Sequence, residues 1–126
     1  MKHHALRYVR ALSLMLIGTG FSTVEALDIR DLEILAASGA CTSCNLIRAD
    51  LSGADLAGSD LNKVSLIGAN LTKANLELAI LDVADLTKPN LTGANLTGAS
   101  LHYADLTGTI FCGTKMPDES FNDSGC

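Results

Sequence analysis

Residues 49–58 read Ala-Asp-Leu-Ser-Gly-Ala-Asp-Leu-Ala-Gly, which is one five-residue pattern written twice in succession. The pattern extends in both directions from Cys44 to Gly113: a small residue, then Asp or Asn, then Leu, and often Gly two residues later. The central position is Leu at 46, 51, 56, 61, 66, 71, 76, 81, 86, 91, 96, 101 and 106, and Phe at 111. Such a fixed period is the signature of a repeat architecture.

A leucine at every fifth position can be buried only if the backbone turns once per repeat. On an α-helix, successive leucines would be rotated by about 140°, so no apolar stripe would form. On a straight strand, the odd spacing would place them on opposite faces. With one turn per pentad, the leucine and the small residue before it can both point inward, and glycine tolerates the positive φ of a corner. The repeat therefore predicts an all-β solenoid of stacked coils.

The string A(D/N)LxG, as at residues 49–53 and 94–98, resembles the pentapeptide-repeat proteins. The resemblance covers residues 44–113. It implies a right-handed quadrilateral β-helix with four pentads per coil, hence about three and a half coils with strands spaced about 4.8 Å apart. We expect a signal peptide at 1–26, an N-terminal cap at 27–43, the β-helix at 44–113 and a C-terminal cap at 114–126.

The first residues have the features of an export signal. Three basic residues, Lys2, Arg7 and Arg10, precede an apolar run over residues 11–21, and a small residue at 26 permits cleavage before Leu27. No second apolar run is long enough to span a bilayer. We therefore expect export to the periplasm, the extracellular space or the thylakoid lumen, with no membrane association after cleavage.

Both ends of the predicted rod require caps, because a solenoid end exposes unpaired backbone and core side chains. Residues 28–39 are typical of a short helix that ends at Gly39. Its apolar face comprises Ile29, Leu32, Leu35 and Ala36. After the repeat, Met116 and Phe121 keep the five-residue spacing, so we expect the tail to fold over the last coil with both side chains inward.

The four cysteines lie near the two ends of the rod. On the implied fold, Cys41 and Cys44 are roughly 17 Å from Cys112 and Cys126. A disulfide needs Cα atoms within about 7 Å, so we predict the disulfides Cys41–Cys44 and Cys112–Cys126. The same separation excludes a four-cysteine zinc site. The alternative for residues 41–44 is a redox-active CxxC, although this one leads into a strand rather than a helix.

Composition and residue spacing argue against an enzyme. Hydrophobic residues make up 48% of the 126 residues, aromatics only 4%, and Trp is absent, which argues against an aromatic-lined cofactor pocket. His102 lies twenty residues from Asp82, so we expect a surface hydrogen bond between them rather than a hydrolase site with Ser100. The regularly spaced aspartates fit solvated positions better than paired catalytic carboxylates. We predict no catalytic residue, no cofactor and no metal ion.

Some relatives of this fold inhibit DNA gyrase by imitating duplex DNA with an acidic rod. The formal net charge here is −5, but sorting the pentads by every fourth member gives faces of charge 0, 0, −2 and −1 over residues 44–113. A DNA mimic needs a dense stripe of one sign. We therefore rank gyrase inhibition last and predict no nucleic-acid binding.

A small group of outward positions is apolar: Leu78, Ile80, Val83 and Tyr103. An exposed apolar cluster indicates contact with a protein partner or with a second copy of the chain. The sequence thus favours an exported, non-enzymatic scaffold or protein-interaction module of unknown partner. A thiol–disulfide redox protein is the first alternative.

Overall fold

The computed structural model describes residues 29–126, so the predicted signal peptide at 1–26 lies outside the described residues. The backbone turns a corner once per pentad and pairs with itself every 20 residues, through parallel bridges from Ala40↔Asp60 to Asn95↔Lys115. Four pentads therefore make one coil of a quadrilateral β-helix. We name its faces by the first pentads of the repeat: face one begins with 44–48, face two with 49–53, face three with 54–58 and face four with 59–63.

Hydrogen bonds between coils follow one pattern along the rod. The N–H of Leu46 donates to the carbonyl of Ser65 in the next coil (2.8 Å), and the N–H of Ser65 donates back to Cys44 (2.9 Å). At the corner, the N–H of Ala49 donates to the carbonyl of Leu46 (3.1 Å). Each inner coil thus has its backbone polar groups paired with the coils on either side.

The Asp or Asn before each leucine stabilises the turn that follows. Asp50 Oδ1 accepts the N–H of Ser52 (3.2 Å), and Asn95 Oδ1 accepts the N–H of Thr97 (3.0 Å). The same bond forms at Asn45, Asp55, Asp60, Asn70, Asn75, Asp85, Asn90 and Asp105. These side chains are therefore Asx-type turn formers, a role that their interpretation as solvated positions missed.

The ladder extends one pentad beyond the leucine pattern at each end. Cys41 takes the leucine place in pentad 39–43, and its N–H donates to the backbone carbonyl of Asp60 (2.7 Å). Met116 takes it in pentad 114–118, where the carbonyl of Lys115 accepts the N–H of Leu96 (2.7 Å). The rod therefore contains four coils, residues 39–118, instead of three and a half.

The N-terminal end is covered by helix α1, Ile29–Ser38, whose buried residues are Leu32, Leu35 and Ala36. Gly39 ends the helix with a φ of 69°. Asp31 Oδ2 accepts the N–H of Asn45 (2.6 Å). In an inner coil the equivalent N–H donates to a backbone carbonyl of the coil below, as Ser65 N–H does to Cys44. At this end no such coil is present among the described residues, and the Asp31 carboxylate takes the place of that carbonyl acceptor. Within residues 29–126, no helix is long and apolar enough to cross a bilayer.

At the C-terminal end, β1 (Thr114–Lys115) pairs antiparallel with β2 (Phe121–Asn122). The tail therefore turns back over face three, and Gly125 then bonds Phe111 on face two. Met116 packs partly buried against the core. The prediction that Phe121 points inward is wrong, since its side chain is 68% exposed. Phe121 is paired with Lys115, an outward position, and directly paired residues project to the same side of a sheet.

The tail covers only half of the last coil. On faces four and one, no strand from residues 29–126 lies above residues 99–108, and Leu106 is 37% exposed. The N–H groups of Leu101, Tyr103, Leu106 and Gly108 have no backbone acceptor among the described residues. We call residues 99–108 the open edge.

Candidate functional site

The four outward apolar residues predicted from the sequence lie around face four. Leu78 lies at the corner that leads into this face, Ile80 lies on it, and Val83 and Tyr103 lie one coil apart at its far corner. All four are exposed, and Tyr103 is 92% exposed. We call them the face four patch. Tyr103 belongs to the open edge as well, so the patch and the unpaired strand adjoin.

Three members of the patch have a backbone conformation that disfavours them. Leu78, Val83 and Tyr103 have φ values of 59°, 59° and 58°, at corners that other pentads fill with glycine, such as Gly58 and Gly98. This left-handed region costs an L-residue roughly 1–2 kcal/mol, and a β-branched residue such as valine is the least suited to it. Corners filled by Arg or Lys share this φ, so what distinguishes the patch is that its exposed corner side chains are apolar.

We expect Val83→Gly to leave the free energy of unfolding unchanged or to raise it by about 0.5–1 kcal/mol, because it relieves the corner strain. The matched control is Gly58→Val at an equivalent corner, where φ is +67° and an added Cβ meets open space. That change should cost about 1–2 kcal/mol through the backbone alone. Urea unfolding of both variants measures the difference. Equal losses in the two variants would contradict the assignment of strain to Val83.

A hydrogen-bonded polar cluster lies on the same face. Ser100 Oγ is 2.5 Å from Asp82 Oδ1 and 2.7 Å from His102 Nδ1. The backbone N–H of His102 donates to Asp82 Oδ1 (3.0 Å). The hydrogen bond from Ser100 is the main reason that the pKa of Asp82 lies below its usual value, so this group is a carboxylate at neutral pH. His102 and Asp82 thus interact through Ser100 as well as directly, with Nδ1 and Oδ1 3.5 Å apart.

This cluster does not have the arrangement of a hydrolase triad. In a triad the two imidazole nitrogens face different partners, the serine and the carboxylate. Here Nδ1 faces both Ser100 and Asp82, and the serine hydroxyl donates to the carboxylate. The His102 side chain is 78% exposed, which leaves Nε2 open to solvent. The arrangement can exchange hydrogen bonds with a bound partner.

The cysteines pair within each end of the rod. The structure joins Cys41 to Cys44 and Cys112 to Cys126. Cys41 and Cys44 belong to the core, 1% and 7% exposed. Cys126 is exposed and Cys112 is half-buried. Among residues 29–126, no three His, Cys, Asp or Glu side chains come together to hold a metal ion.

The profile of the family described as pentapeptide repeats matches residues 44–82 and 79–116, with eight copies of its unit. The chain belongs to the pentapeptide-repeat family. Members of this family form right-handed quadrilateral β-helices and are in general non-enzymatic structural repeat proteins.

Three solved pentapeptide-repeat proteins are similar to this chain. HetL from Nostoc sp. strain PCC 7120, described as involved in heterocyst differentiation regulation, is 30% identical over 66% of this chain and 51% of its own, with a TM-score of 0.31. AT2G44920 from the thylakoid lumen of Arabidopsis thaliana is 29% identical over 67% of this chain and 66% of its own, with a TM-score of 0.34. The protein alr5209 from Nostoc PCC 7120 is 37% identical over 59% of this chain and 65% of its own, with a TM-score of 0.37.

The matched region spans between half and two thirds of the length of these pentapeptide-repeat proteins. No curated protein sequence matches the chain.

Sequence reasoning placed the four apolar residues of the patch on the surface, where the structure has them, but missed the open edge beside them. The small residue and the leucine of the repeat continue through residues 99–108, so these core positions do not signal that the strand lacks a neighbour. The signal that could have shown it is the Pro117 and Asp118 pair, where the pentad pattern stops and the chain reverses.

Proposed function

We propose that this pentapeptide-repeat protein is an exported, non-enzymatic interaction module that binds a protein partner, or a second copy of itself, through the face four patch and the open edge. The observation that carries the proposal is the face four patch. Its side chains are exposed, and three of them occupy corners where glycine would be relaxed.

The open edge supports the same function. Unpaired N–H groups along a strand can pair with an extended segment of another chain, while neighbouring side chains provide specificity. Here Leu101 and Tyr103 offer such donors directly beside the patch. The Asp82 and His102 side chains add polar contacts on the same face. Apolar anchors surrounded by polar groups are typical of protein–protein interfaces.

Export is supported by the cysteines and by the N-terminal sequence. All four cysteines are disulfide-bonded, which fits an oxidising compartment. One similar protein comes from a thylakoid lumen. The basic and apolar N-terminal segment, outside the described residues, fits a signal peptide.

The two alternatives have less support. A redox role for the CxxC requires a sulfur that a substrate thiol can reach, whereas Cys41 and Cys44 are buried. We infer that this disulfide is structural. Gyrase inhibition by DNA mimicry requires a dense acidic stripe, and Lys63 and Lys88 interrupt the acidic positions on faces four and one.

We expect the double substitution Leu78→Asp and Ile80→Asp to abolish partner binding and any self-association without unfolding the rod. The probe is the immobilised chain exposed to the exported protein fraction, with bound proteins quantified by mass spectrometry. Self-association is measured in parallel by sedimentation. Proteins retained by the wild type should fall at least ten-fold with the double variant.

The matched control is Ile34→Asp. Ile34 is 50% exposed on helix α1 at the other end of the rod, so its substitution changes apolar exposure outside the patch. It should retain the same proteins as the wild type. An unchanged set of bound proteins and unchanged sedimentation in the patch variant would refute the assignment of the patch.

A further inference from the structure

The C-terminal tail, residues 119–126, is attached to the last coil by a few hydrogen bonds and by an ion pair between Lys115 Nζ and Glu119 Oε2 (3.7 Å). The N–H of Gly113 donates to Asp123 Oδ1 (2.7 Å). The N–H of Met116 donates to the backbone carbonyl of Ser120 (2.8 Å), and the N–H of Gly125 donates to the backbone carbonyl of Phe111. Strand β2 adds a two-residue pairing with β1. Besides the backbone, the disulfide Cys112–Cys126 links the tail covalently to the coil, and its cysteines are 14 residues apart in sequence.

Apolar burial does not hold the tail in place. Phe121, its one large apolar side chain, is exposed, and residues 123–126 are exposed as well. Solvent-accessible hydrogen bonds exchange readily with water and contribute little net stability. The disulfide is therefore the main constraint that keeps the tail over faces two and three.

The two disulfides differ in their access to solvent. Thiol–disulfide exchange requires a thiolate to reach one sulfur of the bond. Cys126 is exposed, whereas Cys41 and Cys44 are buried beneath helix α1. A dithiol reductant should therefore attack the C-terminal disulfide while the protein is folded, and the N-terminal disulfide only after the cap opens.

We propose that the Cys112–Cys126 disulfide is a redox-sensitive latch. A thiolate of a dithiol reductant attacks Cys126 Sγ, forms a mixed disulfide and releases Cys112 as a thiolate, which takes up a proton. The second thiol of the reductant then attacks the mixed disulfide and releases Cys126. Two electrons and two protons pass to the protein, and the reductant becomes a disulfide.

Release of the tail extends the open edge without dismantling the rod. Pentad 114–118 stays in place because the N–H of Lys115 donates to Ala94 (2.9 Å) and the carbonyl of Pro117 accepts the N–H of Gly98 (3.0 Å). The freed tail exposes the backbone of Phe111, which Gly125 now covers. Reduction thus lengthens the unpaired edge from two faces of the last coil toward all four. This inference does not depend on the proposed partner binding.

Thiol counting tests the latch on the full-length oxidised chain. The folded protein is treated with dithiothreitol, then with a maleimide, and labelled cysteines are located by mass spectrometry. We expect two labelled thiols, Cys112 and Cys126, with Cys41 and Cys44 labelled only in denaturant. Labelling of all four at one rate would overturn the proposal, because it would mean that reduction unfolds the rod.

Hydrogen exchange distinguishes tail release from simple reduction. After reduction, the amides of Gly113 and Gly125 should exchange at least ten-fold faster, while those of Leu96 and Lys115 should not change.

The variant Cys112→Ser with Cys126→Ser should reproduce the reduced pattern without reductant. The variant Cys41→Leu with Cys44→Ala, which retains only the C-terminal disulfide, should respond like the wild type. Unchanged exchange at Gly113 and Gly125 in reduced protein would show that other contacts hold the tail, and would refute the latch.

Discussion

Leu66→Ala should reduce the free energy of unfolding by about 2–5 kcal/mol. Leu66 is fully buried, and Leu46 and Leu86, one coil below and one coil above, are buried with it. Ladder hydrogen bonds fix the spacing of these coils, as between Leu66 N–H and Asp85 O (2.9 Å). The cavity left by the alanine therefore cannot collapse, which places the loss at the upper part of that range.

Leu106→Ala is the matched control for Leu66→Ala. It removes the same side chain at the same pentad position of face one, but in the last coil, where the leucine is 37% exposed. We expect it to cost no more than about half as much, since less apolar surface leaves water on folding. Chemical denaturation followed by circular dichroism measures both. Equal losses would mean that residue 106 is covered and that the rod does not end there.

The N-terminal disulfide should be replaceable by the residues that the repeat itself uses. Cys41 takes a leucine position and Cys44 the small-residue position, and both are buried. The variant Cys41→Leu with Cys44→Ala should therefore remain within about 2 kcal/mol of the wild type, the approximate sum of a lost short-loop constraint and imperfect repacking.

The comparison is the variant Cys41→Ser with Cys44→Ser, which should lose about 3–5 kcal/mol. It gives up the same covalent constraint and also buries two hydroxyl groups among leucines. Thermal and urea unfolding of the two variants give the difference. If both lose the same amount, the pair is not acting as a core element. Loss of a cellular function in the folded Leu and Ala variant would instead favour the redox alternative.

The interior of this protein could be predicted because the five-residue period allows only one kind of backbone path. Leu71 and Leu81 lie on different faces, yet both are buried, as a corner after each pentad requires. The number of faces was implied by the family resemblance rather than by the period, since a period of five demands a turn but does not set its angle. The 20-residue bridges supply that number.

The ends of the rod were harder to predict, since spacing does not indicate the direction in which a strand runs. Phe121 keeps the five-residue spacing, but the hairpin reverses the chain and pairs it with the outward Lys115. The open edge likewise depends on the route of the tail. At the candidate site, the exposure of Leu78 and Val83 follows from their place in the pentad. The contact of Ser100 with both Asp82 and His102 depends on side-chain rotamers that no pattern specifies.

Core positions of this rod recur every five residues, whereas residues that stack on the same face recur every 20 residues. Insertion or loss of one pentad between Val83 and Tyr103 would keep every downstream leucine inside and move all later surface residues by a quarter turn. Tyr103 would then lie over a different neighbour from Val83, and their shared corner would vanish from an intact structure. In this architecture, natural variation in the number of pentads can move recognition residues to other faces of the rod without changing the packing of the core.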